Sequence, residues 1–97
     1  MQQTIYGQFI ACPFASGDGV GGSEKYIGEF ETKELCQGNV TTKEPTANGV
    51  TYGVHGQDYA RECYAEFGKT NSESSNKWIS CKFEGRIVSI YLYYRNT

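Results

Sequence analysis

The residues of this chain that could carry chemistry are concentrated in its second half. His55 is the single histidine among 97 residues. A nucleophilic hydrolase would need it poised against Ser or Cys and oriented by a third group, but it stands between Val54 and Gly56 in a glycine-flanked loop. Glu29/Glu31 and Glu62/Glu66 are carboxylate pairs of the type used for general acid–base attack on a glycoside. Acids two to four positions apart on an extended segment are more often one solvated face. The glycine-rich stretch 16–23 lacks the Gly-Lys-[Ser/Thr] continuation of a phosphate cradle, so it is expected to be a turn. Neither enzymatic turnover nor a cofactor is expected.

Binding fits these residue types better. Sugar recognition needs an aromatic face against the apolar side of a pyranose, with charged or planar groups bonding adjacent hydroxyls. Tyr52, His55, Asp58, Tyr59, Arg61, Tyr64, Glu66 and Trp78 supply both, with Asn71, Asn76 and Lys77 close by. Tyrosine adds contact area and a hydroxyl at low conformational entropy cost. The competing reading places Tyr52, Tyr64 and Trp78 in the core or on a sheet surface and leaves the Asn/Ser-rich loop merely solvated.

The net charge of -2 supplies no basic field for nucleic acid or anionic lipid. The apolar runs are far shorter than a bilayer span requires, so no membrane insertion is expected. Cys12, Cys36, Cys63 and Cys81 contain no Cys-x-x-Cys pair, which disfavours zinc. Asp18 and Asp58 lie outside any calcium-loop pattern, and no metal is expected. An even number of cysteines in a short chain points to two disulfides and an oxidising compartment, and three pairings remain open. Residues 1–4 show neither the basic nor the apolar part of a signal peptide. The cysteines therefore favour a mature secreted chain carrying an added Met1 over a cytoplasmic protein with free thiols.

Twelve Gly, eight Tyr and five Phe describe a turn-rich β protein forming one domain over residues 1–97. Strands are expected over 5–14, 25–30, 50–52, 59–67, 78–83 and 86–95, with polar loops at 53–58 and 69–77. Ala47-Asn48-Gly49 is a turn signal. Thr32 is a plausible N-cap for one helix ending no later than Glu44, before Pro45, with Leu35, Cys36 and Val40 on its buried face. In 59–67 the alternation Cys63/Ala65/Phe67 against Tyr64/Glu66 suits a half-buried strand. The last strand is apolar on both faces, either central in the sheet or an edge that pairs with a second subunit.

The order of a strand with Cys12, a helix with Cys36, Cys63 within Glu62-Cys63-Tyr64-Ala65-Glu66-Phe67 and Cys81 within Trp78-Ile79-Ser80-Cys81-Lys82-Phe83 resembles the PAN/apple module. That resemblance implies an α+β fold in which one helix packs on a curved antiparallel β-sheet and disulfides stabilise the whole. It further implies pairing Cys36 with Cys63 and Cys12 with Cys81. A full apple domain carries a third bridge from the helix, for which this chain has no cysteine. The 47–53 and 62–68 segments also resemble small invertebrate extracellular modules, some of them in lectin-like proteins, which implies a glycan or glycoprotein partner. The resulting expectation is a secreted, non-enzymatic carbohydrate-binding module with a homodimer through its final strand. The alternative is a protein-binding or adhesion module that uses residues 87–94.

Overall fold

The computed structural model describes residues 2–7, 12–84 and 90–95. Among them are nine strands and one helix: β1 (Gln2–Gly7), β2 (Ala15–Ser16), β3 (Asp18–Val20), β4 (Ser23–Glu29), α1 (Lys33–Lys43), β5 (Gly49–Gly53), β6 (Glu62–Phe67), β7 (Asn71–Glu73), β8 (Trp78–Lys82) and β9 (Ile90–Arg95). The central sheet is antiparallel with order β2-β8-β5-β6-β4. β3 and β7 form a two-stranded ribbon, and β1 pairs with β9 in another. This is an α+β fold with a helix on an antiparallel sheet, and two disulfides hold it.

The helix begins where the side chain of Thr32 accepts the Leu35 N–H at 3.1 Å, a cap that stabilises by about 1 kcal/mol. Glu34 in the first turn and Lys43 in the last complement the helix dipole. Cys36, Val40 and Thr41 face β4, β5 and β6. Leu35, expected inside, is 52% exposed. Cys36 and Val40, four apart, centre the buried stripe, and one residue rotates a helix by about 100°, which carries Leu35 off it.

Strand alternation sorts the sheet into two faces. Val50, Tyr52, Cys63, Ala65 and Cys81 join Cys36 and Val40 in the core beneath the helix. Thr51, Tyr64, Glu66, Trp78 and Ser80 must then point to the opposite face, where β3 packs on β5 and β8. Disulfides join Cys36 to Cys63 across helix and sheet and Cys12 to Cys81, the same pairs the resemblance implied. Such bonds persist in oxidising compartments. No helix among the described residues is long and apolar enough to cross a membrane.

Several expected boundaries move. β1 ends at Gly7, residues 8–11 lie outside the described residues, and 12–14 are not strand. The 16–23 turn and the 69–77 loop contain β3 and β7, paired Asp18↔Glu73, Gly19↔Ser72 and Val20↔Asn71. Apart from Val20, the polar residues and Gly19 of these two short strands have little strand propensity of their own, and the pairing is imposed by packing. Residues 59–61 form a turn rather than the start of β6. Of the expected last strand, 86–89 lies outside the described residues, and β9 pairs with β1 alone among them.

Asn48, expected merely as a turn residue, is a clamp. Its Nδ2 donates to the Lys69 carbonyl at 2.9 Å, and its Oδ1 accepts the Lys69 N–H at 2.8 Å. Its own backbone bonds the Glu66 carbonyl and the Phe83 N–H. One side chain therefore fixes how the chain leaves β6 for β7.

Candidate functional site

On the face away from the helix, four rings form a row across the sheet. Tyr26 of β4 and Tyr64 of β6 are register partners, with ring centroids 5.4 Å apart. Tyr64 meets Trp78 of β8 edge-on at 5.5 Å, and Tyr59 lies nearly parallel to Trp78, 5.1 Å away at 12°. Tyr26 is 52% and Tyr59 44% exposed. Such contacts contribute roughly 0.5–1.5 kcal/mol each beyond area burial, so the row is ordered before any ligand arrives.

Gly53 makes the row continuous. It sits on β5 opposite Trp78, and a Cβ there would collide with the Tyr59 carbonyl oxygen. Without that side chain the 54–61 turn folds down onto the sheet, where Arg61 N–H donates to the Gly53 carbonyl at 3.0 Å. Arg61 itself adopts φ 71°, in the left-handed region.

Charged groups border the rings. Lys77 Nζ bonds Asp58 at 2.8 Å and lies 5.9 Å from the Tyr59 ring centre. The Tyr64 hydroxyl donates to Glu62 at 2.7 Å. Burial, then the Glu62 and Glu24 carboxylates, push the Tyr64 phenol well above its ordinary pKa.

The expected binding residues therefore divide. Tyr59, Tyr64, Trp78 and Asp58 come together at the row. Arg61 bonds Glu31 at 3.2 Å instead. Tyr52, expected at the ligand, is a core residue: strand alternation turns it toward the helix, where its hydroxyl donates to the Phe30 carbonyl and contacts His55 Nε2 at 3.0 Å. Tyr52 and His55 line a cavity of about 320 Å³ with Val54, Ile79 and the first turn of the helix, on the other side of the sheet from the rings.

Glu66, also expected to hold a sugar hydroxyl, is 1% exposed and out of reach of a surface ligand. The β3–β7 ribbon covers it, and an added Cβ at Gly19 would stand 2.9 Å from its carboxyl carbon. Thr51 donates to Glu66 Oε2 at 2.6 Å and accepts the Gly19 N–H. Carboxylate oxygens of Asp18, Glu24 and Glu66 lie within 4.8 Å of one another. Burial above all, and then the charges of Glu24 and Asp18, outweigh the Thr51 bond and push Glu66 up to about 7. Oxygens like these suit a hard cation, yet here burial favours the protonated acid. Nearby Lys69, 4% exposed, bonds the Asn71 carbonyl at 2.9 Å and Ser72 Oγ at 3.0 Å, and Ser72 reaches Ser80 at 2.8 Å. Burial lowers the Lys69 pKa against the pull of Glu66.

Sequence reasoning missed Tyr26 and the Asp18–Glu24–Glu66 cluster. The signal for Tyr26 was its place in a strand between Lys25 and Ile27, which fixes a face but not a neighbour. The cluster draws on three strands and left no local pattern. The fold and disulfides define the class, a two-disulfide α+β domain with an exposed aromatic row. In comparisons with known proteins, this chain matches no family model, no curated protein and no solved structure.

Proposed function

We propose that this chain is a secreted, PAN/apple-like module that binds carbohydrate without turning it over, at the row Tyr26–Tyr64–Trp78–Tyr59. The observation that carries this reading is the ordered row itself, with exposed rings at both ends and hydrogen-bonding groups at its margin. An exposed tyrosine face receives the apolar side of a pyranose, and Asp58, Lys77 and Glu62 stand where ring hydroxyls would reach. The helix tied to the sheet through Cys36–Cys63 supports the PAN/apple assignment, and two disulfides support secretion.

A shallow site of this kind binds weakly, and avidity comes from several copies. The β1–β9 ribbon is two-stranded among the described residues, and unpaired strand edges favour association with a second copy.

A glycan array probed with the oxidised protein tests the reading. Saccharide binding is expected, with Tyr59→Ala weakening it about tenfold while Tyr52→Phe leaves it unchanged in a folded protein. Failure to retain any saccharide at high protein concentration overturns the class. Undiminished binding by folded Tyr59→Ala and Tyr26→Ala overturns the site.

A further inference from the structure

The register of β4 and β6 sets the rings between acids. Going along the pair, Glu24 stands opposite Glu66, Tyr26 opposite Tyr64, and Glu29 opposite Glu62. An irregularity between Tyr26 and Gly28 adds one residue to β4. That extra residue brings Glu29 into phase with Tyr26, on the face of Glu62 and Tyr64. Glu24, Tyr26 and Glu29 are exposed, and Glu62 and Tyr64 are half-buried.

Like charges directly opposite one another destabilise a strand pair. Glu29 and Glu62 are such a pair on one side of the rings. On the other, the exposed Glu24 stands opposite the protonated, ribbon-covered Glu66. Among the described residues no Lys, Arg or His forms an ion pair with Glu24, Glu29, Glu62 or Glu66. The ion pairs present are Lys25–Glu44, Lys33–Glu34, Arg61–Glu31 and Lys77–Asp58. The face of a tyrosine ring is itself an electron-rich surface that attracts cations. Rings and acids thus independently present negative potential at the same edge of the sheet, and β4 is that edge.

We propose, resting on the carbohydrate reading above, that the saccharide taken here is cationic: an amino sugar with a free ammonium group, seated on Tyr26 and Tyr64 with Glu24 and Glu29 on either side. Stacking orients the pyranose, and the carboxylates select the ammonium over a hydroxyl or an acetamide. Glu66 stays beneath the ribbon, protonated near pH 6, and takes no part in the contact.

Calorimetric titration of the oxidised protein with a glucosamine hexamer, and with the fully N-acetylated hexamer, decides it near pH 6 and at low salt. The amino hexamer is expected to bind about tenfold more tightly, with an advantage that shrinks as salt is raised. The double variant Glu24→Gln/Glu29→Gln, altered only at exposed positions, should lose that preference and keep its fold by circular dichroism. Equal affinity for the two hexamers, or tighter binding of the acetylated one, overturns the charge inference and leaves the carbohydrate reading standing. Capture of oligolysine but of neither hexamer overturns it in favour of a basic peptide along β4. An array on which no saccharide binds overturns both readings together.

Discussion

The carboxyl of Glu66 accepts a hydrogen bond from Thr51 and faces Asp18 and Glu24, with Lys69 beyond. Its pKa in the folded chain is about 7, against 4.5 for the ordinary side chain. A carboxyl raised in this way binds its proton more tightly when folded than when unfolded. Its favourable contribution is therefore complete below the unfolded value and disappears as pH rises through the folded one. Stability should fall by up to ~3 kcal/mol between about pH 4.5 and 8, and the raised pKa of Asp18, which burial causes first, acts in the same direction. Glu66→Gln keeps an acceptor for Thr51 and removes the titrating charge. Urea unfolding of that variant should show a flattened pH profile and higher stability than the parent at alkaline pH, whereas an unchanged slope would rule out Glu66 as the source.

Among the elements, the connections matter more than the strands. β5 supplies the floor of the sheet, but the row of rings depends on Gly53 admitting the 54–61 turn. Gly53→Ala should destabilise by about 1–3 kcal/mol through overpacking. It should also lift Tyr59 from Trp78, lowering both the near-ultraviolet dichroism of the stacked pair and saccharide affinity. Retention of both signals would show that the turn tolerates the methyl group. The helix was legible because Thr32, Glu34 and Pro45 act through local chemistry that needs no partner. β3 and β7 were not, because Asp18-Gly19-Val20 and Asn71-Ser72-Glu73 extend only when laid against each other and onto β5 and β8.

At the scale of the molecule, two covalent links span 27 and 69 positions. Closing loops of those lengths restricts the unfolded chain by roughly 3.5 and 4.5 kcal/mol in the chain-entropy description, comparable to the whole stability of ~5–15 kcal/mol for a small domain. Reduction with excess dithiol at 25 °C should therefore abolish the near-ultraviolet dichroism and saccharide binding together. A reduced chain that keeps both would show that the non-covalent core suffices.

Residue types and short-range spacing determined the strand-rich character, the one capped helix and the face occupied by Cys63 and Ala65, since turns, caps and strand alternation act over a few residues. The role of each tyrosine was decided only by tertiary structure. Tyr52 and Tyr64 are indistinguishable by type, yet one bonds Phe30 in the core and the other stands in the exposed row. Which face of a strand meets the helix is fixed by Cys36 reaching Cys63. That contact joins positions 27 apart, and no local pattern encodes it.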